Sequence, residues 1–344
     1  MPEGSRQLAM VFDLNKCIGC QTCAVACKML WTRDEGSDYQ WWCTVNTVPG
    51  KGSPKDWESM GGGYENGELI LGKAPDREDF GGGWDFNYNE VFYGEGPPGK
   101  KIPLRVVGEQ PTWGPNWDED QGGGQYPNNY YYYLPRTCNH CSKPACVDAC
   151  PSGALKKRQE DGIVVRDESV CTGSRQCAAA CPYKKIYFNE QRGVSQQCMF
   201  CLPRLEDGVA PACARQCPGR AVFVGFLDDK DGPVHKLVNE WKVAVAQHPE
   251  YGTEPNIFYV PPIGPHPIAE DGSVDENRHR IPDELLEEQF GPDVHEALAT
   301  LQTEMSKTRE GGKSELMDML IAYKWTSLLG EFTVDPVTLE KDVS

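Results

Sequence analysis

Apolar and polar positions change rhythm several times along this chain. The longest clean apolar run, residues 221–227, suits a buried strand and falls far short of the roughly 20 apolar residues that span a bilayer. Short alternating pieces at 162–166 and 185–188 predict further strands. Helical periodicity predicts helices over 283–305 and 314–329, the second with Leu316, Leu320 and Trp325 on its apolar face. Neither carries ligand types in register, so both read as docking or covering elements. Between Trp31 and Tyr133 no period holds, and glycine triplets at 61–63, 81–83 and 122–124 break regular structure. The many aromatics of that stretch predict an irregular, partner-facing lobe that packs against something rather than a disordered linker.

A repeat interrupts this pattern four times, and it is made of cysteine. The first run is Cys17-x2-Cys20-x2-Cys23-x3-Cys27, the bacterial ferredoxin spacing, with Lys28 where a proline usually follows. The second, Cys138-x2-Cys141-x4-Cys146-x3-Cys150-Pro151, and the fourth, Cys198-x2-Cys201-x11-Cys213-x3-Cys217-Pro218, follow the same scheme with a loop inserted before the third cysteine. The third run, Cys171-x5-Cys177-x3-Cys181-Pro182, carries Ser174 at its second position. Three thiolates so spaced wrap one face of an iron–sulfur cube, and the fourth, a helical turn on, points to the neighbouring cluster. A serine oxygen is a harder ligand that would have to be deprotonated, so the third run predicts a three-iron cluster. Ser174 as an alkoxide ligand is the competing possibility there, and zinc knuckles for all four runs are another. Zinc sites, however, close on four ligands and need no trailing x3-Cys-Pro.

If the runs pair outer with outer and inner with inner, the crossover rule assigns the ligands. Cys17, Cys20 and Cys23 join Cys217; Cys198, Cys201 and Cys213 join Cys27; Cys138, Cys141 and Cys146 join Cys181. Cys171 and Cys177 keep Cys150 for the three-iron centre. Of the sixteen cysteines only Cys43 is left, in Trp41-Trp42-Cys43, and it reads as a buried structural thiol. The expected cofactors are three 4Fe–4S clusters and one 3Fe–4S cluster, spaced as a relay, since tunnelling falls steeply with distance. Lys28, Arg136 and Lys184 lie near ligands and are candidates for raising a potential, or ordinary surface charges. His140, between Cys138 and Cys141, is either a hydrogen-bond donor or a surface residue.

The repeat implies an α+β fold of two nested ferredoxin-like (βαβ-type) units. The outer unit takes residues 1–30 and 195–230 and the inner unit 134–194. Residues 31–133 form the insertion and 231–344 a C-terminal docking extension. A chain of 344 residues with this apolar content builds a core without disulfides, which favours metal ligation for the cysteines. The net charge of −17 argues against nucleic acid or anionic lipid as a partner. Residues 1–10 show neither an apolar signal core nor a twin-arginine pair, so export is expected only in company with a partner. No nucleotide loop, P-loop or His-Glu-x-x-His accompanies the clusters, which leaves an electron carrier with no catalytic residues of its own.

The four runs in order, Cys17-Ile18-Gly19-Cys20-Gln21-Thr22-Cys23 continuing to Lys28 and Trp31-Thr32, and Gly114-Pro115-Asn116-Trp117 with its following acids resemble the iron–sulfur beta subunits of respiratory nitrate reductase and related molybdenum enzymes of the dimethyl sulfoxide reductase family. The resemblance implies three four-iron clusters and one three-iron cluster, with a non-cysteine residue where Ser174 stands. Nitrate reductases typically have tryptophan there, so the serine looks like the branch of dimethyl sulfide and ethylbenzene dehydrogenases and selenate and chlorate reductases. By the same resemblance the cluster of Cys17 would face a molybdopterin-bearing alpha subunit and the three-iron centre a haem b gamma subunit, in a periplasmic alpha–beta–gamma complex exported on the alpha subunit's signal. A cytoplasmic, membrane-attached complex of the nitrate reductase type is the alternative location. A stand-alone polyferredoxin is the alternative function, although it has little use for so long an insertion and tail.

Overall fold

In the computed structural model the described residues are 6–81, 122–276, 278–338 and 340, with the backbone of 84–85 and 105–106. The segment with Gly114-Pro115-Asn116-Trp117 lies outside them. The chain starts with β1 (Leu8–Asp13) and α1 (Thr22–Trp31). The insertion contains β2 (Thr44–Val48), the hairpin of β3 (Gly63–Glu65) and β4 (Glu68–Ile70), and the pair β5 (Trp84–Asp85) and β6 (Arg105–Val106). β7 (Tyr132–Arg136) closes it by pairing antiparallel with β2 over five residues. Next come α2 (Ala145–Asp148), the hairpin of β8 (Leu155–Lys157) and β9 (Val164–Arg166), α3 (Gln176–Ala180), and the hairpin of β10 (Tyr187–Asn189) and β11 (Val194–Gln196). α4 (Leu202–Glu206), α5 (Ala212–Arg215) and β12 (Val222–Phe226) follow, then β13 (Val245–Ala246) and β14 (Ile257–Val260).

The main sheet has the order β12-β1-β14-β13. Every residue of β1 and β12 is buried, and each large apolar side chain so covered contributes about 1.5–3 kcal/mol. β1 and β12 run antiparallel, with Phe12 opposite Val222. That register brings the loop leaving β1, which begins the first cysteine run, to the same end of the sheet as Cys217, which enters β12. The two ends of the cysteine array are joined through this pair of strands, and α1 packs on α5 beside it.

Two helical expectations change. Residues 283–305 form α6 (Asp283–Phe290) and α7 (Asp293–Arg309), because Gly291-Pro292 intervenes and proline donates no backbone hydrogen bond. Residues 314–329 form α8 (Glu315–Ile321), capped by Ser314 Oγ accepting from Met317 N–H, and α9 (Thr326–Leu329), parted where Ala322 turns left-handed at φ 52°. Leu316, Leu320, Leu328 and Leu329 enter the same apolar core as β1 and β12, so these helices cover the sheet. The aromatics of the insertion also turn inward: Tyr39, Trp41, Trp42, Trp57 and Phe80 are buried within the chain. Among the described residues no helix is long and apolar enough to cross a membrane.

Candidate metal centres

The four cysteine runs share one backbone device. The residue just before the second ligand position is left-handed in each: Gly19 (φ 66°), His140 (φ 42°), Gly173 (φ 70°) and Phe200 (φ 56°). The bend turns the second side chain toward the first instead of extending the chain away. At Gly19 the requirement is doubled, since a Cβ would lie 2.5 Å from the Tyr133 ring. Gly173 does the same immediately before Ser174, so Ser174 occupies the turn position of Cys20, and both are exposed.

In the second, third and fourth runs a short helix precedes the last cysteine. α2 contains Cys146, α3 contains Cys177, α5 contains Cys213, and each stops at or just before Cys150, Cys181 or Cys217. An x3 spacing is one helical turn, and the proline after each of these cysteines prevents continuation. The first run has Lys28 in place of that proline, so α1 continues through Cys27 to Trp31.

None of the sixteen cysteines is in a disulfide. Cys17, Cys20, Cys23 and Cys217 line one cavity; Cys27, Cys198, Cys201 and Cys213 line a second. Burial pushes the Cys17 thiol up to about 12, and charge on Cys23, Cys217 and Cys20 adds to the rise. Burial also pushes Cys213 well up, with Cys201, Cys27, Cys198 and Cys23 adding to it. A third group forms around Cys146, raised by burial and then by Cys181, Cys138 and Cys141. In the fourth, burial raises Cys177, Ser195 opposes, and Cys150 and Cys171 raise it further. Consecutive groups also lie within electrostatic reach of one another: Cys23 acts on Cys213, Cys198 on Cys138, and Cys177 on Cys146. The groups therefore stand in a row, with exposed Cys20 at one end and exposed Ser174 beside the other.

Buried thiols gathered in this way resist ionising together unless a cationic centre compensates them, which is what cluster iron does. Among the described residues no three His, Cys, Asp or Glu side chains close on the point a single ion would occupy. The donor set, all soft and, in the first two groups, arranged around cavities, fits iron–sulfur clusters.

Donors from elsewhere in the chain reach the sulfurs. Trp31 Nε1 donates to Cys201 Sγ at 3.1 Å, Phe200 N–H to Cys198 Sγ at 3.3 Å and Ala221 N–H to Cys217 Sγ at 3.4 Å. Ser195 Oγ lies 3.3 Å from Cys177 Sγ, and the hydroxyls of Thr137 and Thr253 pull down the pKa of Cys198 and Cys141, which burial holds high. The three cations singled out in the sequence bond to carbonyls, and Lys28 and Lys184 also feel the charge of Cys27 and Cys181. Lys28 Nζ donates to the carbonyls of Ser37, Asp38 and Gln40 at 2.6–3.0 Å. Arg136, stacked 3.5 Å from the Trp57 ring centroid, joins the Ser53 and Tyr183 carbonyls. Lys184 Nζ donates to the carbonyl of Ala179. The cation that sequence reasoning missed is Lys185. It is fully buried, bonded to Trp41 O, Thr44 Oγ1 and Tyr187 Oη, and pushed down to about 7 by burial and then by Arg136, while Cys43, Cys27 and Cys198 pull it back up. Both lysines of the dipeptide Lys184-Lys185 are buried, and nothing in the sequence marks which one reaches Cys43, Cys27 and Cys198. Cys43 is buried, shares a hydrogen bond with the Cys23 thiol and lines the second cavity.

The model of the 4Fe-4S dicluster domain matches residues 129–227, which contain the second, third and fourth runs. The chain is 56% identical over 322 residues to the selenate reductase subunit beta of Thauera selenatis, covering 92% of this chain and 97% of that one. It is 55% identical to the chlorate reductase subunit beta of Ideonella dechloratans, with the same shares covered. The dimethylsulfide dehydrogenase subunit beta of Rhodovulum sulfidophilum is 52% identical, over 93% of this chain and 97% of its own.

Proposed function

Because the chain belongs to the family of iron–sulfur beta subunits of molybdenum oxidoreductases, we propose that it is the electron-relaying subunit of an alpha–beta–gamma complex, joining a molybdopterin-bearing alpha subunit to a haem b gamma subunit. It is a non-catalytic subunit. Three 4Fe–4S clusters and one 3Fe–4S cluster, when bound, supply centres that each take up and return one electron. Cys17, Cys20, Cys23 and Cys217 hold the first; Cys27, Cys198, Cys201 and Cys213 the second; Cys138, Cys141, Cys146 and Cys181 the third. Cys150, Cys171 and Cys177 hold the three-iron centre beside Ser174. Residues 1–30 with 195–230 then act as the outer ferredoxin-like unit around the inner unit of 134–194.

The carrying observation is the row of four cysteine groups with both ends at the surface. A row of stops replaces one impossible tunnelling step by several short ones. Ile18, 67% exposed beside Cys20, and Tyr323, 73% exposed, whose carbonyl accepts from Arg220, offer an apolar rim for the alpha subunit at the first end. Val170 next to Cys171 is also exposed, on the side proposed for the gamma subunit. The complex works in the periplasm, exported folded with its alpha subunit, in keeping with the branch that Ser174 resembles.

Low-temperature EPR of the purified complex during stepwise reduction, with iron quantified on the same sample, tests this. A three-iron signal in the oxidised state followed by several four-iron signals is expected. Four four-iron centres would remove the three-iron assignment, and a colourless protein would end the relay. Co-purification with a large molybdenum subunit at fixed stoichiometry is expected, and a fully active, isolated monomer would favour a free carrier.

A further inference from the structure

His140 belongs by sequence to the loop between Cys138 and Cys141, yet with Cys138 it also lines the cavity of Cys27, Cys198, Cys201 and Cys213. Its position is held from several sides. Val164 N–H donates to its Nδ1 at 3.1 Å, and the Phe200 ring lies 5.1 Å away between centroids. Its own carbonyl accepts from Lys157 Nζ at 3.1 Å and Asn256 Nδ2 at 3.0 Å. A ring nitrogen that accepts a backbone N–H carries no proton, so the neutral imidazole keeps its proton on Nε2. Nε2 is buried, on a residue only 1% exposed, and has no hydrogen-bond partner among the described residues. A donor buried without an acceptor is costly enough that native structures seldom leave one. The acceptors that the cavity is shaped to receive are the sulfurs of a cluster.

We infer that His140 Nε2–H donates a hydrogen bond to the cluster held by Cys27, Cys198, Cys201 and Cys213, making His140 a positioning residue with its backbone in one cluster's loop and its ring on the next cluster. This rests on the ligand sets proposed above. A donor to cluster sulfur favours the reduced, more negative state and raises the potential of that one centre. The residue thereby couples the geometry of two adjacent stops in the relay.

The test is redox-poised EPR of the purified complex labelled with 15N-histidine, in the parent protein and in His140→Phe and His140→Gln. The first variant keeps a ring against Phe200 without an N–H, and the second restores a donor. In the parent, one reduced four-iron centre shows a weak 15N coupling. In His140→Phe that coupling is lost and the same centre shifts to lower potential while the others stay, and His140→Gln recovers part of the shift. Absence of the coupling in the parent overturns the inference, and this measurement decides alone if His140→Phe does not assemble. Unchanged potentials in a His140→Phe protein of full iron content overturn it too. A parent with the wrong iron count or number of centres defeats the ligand sets themselves, and is recognised before any variant is made.

Discussion

Ser174 stands in the turn that Cys20 occupies in the first run, after a left-handed glycine and before a short helix in both. The backbone is ready for a thiolate that the side chain does not supply. Ser174→Cys is therefore expected to replace the oxidised three-iron signal by a fourth four-iron centre, with about one further iron per chain in the metal assay; an unchanged EPR spectrum would mean that more than the ligand is missing. The Trp31 indole donates its N–H to Cys201 Sγ while its ring packs against the core. Trp31→Phe is expected to lower the potential of that centre on the order of tens of millivolts, a fraction of the worth of a hydrogen bond to a charged group. Stepwise potentiometry that finds no centre moved would reduce Trp31 to packing.

Among the elements, α1 differs from the other ligand helices because Lys28 replaces the helix-stopping proline, and the longer helix carries Trp31 to Cys201. Lys28 in turn ties the start of the insertion down through three carbonyls. Lys28→Met leaves those acceptors without their donor and is expected to cost about 1–3 kcal/mol, seen as a lower thermal midpoint of the cluster-loaded protein. An unaltered midpoint would show that water serves the carbonyls equally well. α8 is fastened by the same logic at its other end, where Lys16 Nζ donates to Leu320 O and Arg220 to Ala322 O, cations placed against a helix C-terminus. Lys16 and Arg220 flank Cys17 and Cys217, so the tail is stitched to the first cysteine group.

For the whole molecule, folding and cluster binding are expected to be linked. Thiols whose pKa burial and mutual repulsion drive upward can ionise together in the native arrangement only when iron compensates them. Oxidative removal of the clusters with a chelator is expected to abolish the cooperative thermal transition and to red-shift tryptophan fluorescence as Trp41 and Trp42 lose their burial. A cluster-free protein that kept its near-ultraviolet circular dichroism and its midpoint would show that the sheet of β1 and β12 suffices alone.

The amino-acid order alone determined what depends on near neighbours in the chain. The cysteine spacings set one helical turn between third and fourth ligands, and Ser174 declared the missing thiolate. The short strands after 162 and 185 and the buried strand of 221–227 were equally readable, because alternation and local turns express themselves within a few residues. Tertiary structure decided the rest. Which run meets which depends on the pairing of β1 with β12, two strands that flank the cysteine runs and bring the first run to the fourth. Whether a polar residue serves a sulfur, a carbonyl or the solvent was likewise settled by packing: His140 turned inward to a neighbouring group, Lys28 and Arg136 to carbonyls, and Lys185 into the core. Spacing governs local covalent geometry, whereas the partner of a buried polar group is chosen by whatever the folded chain brings within 3 Å of it.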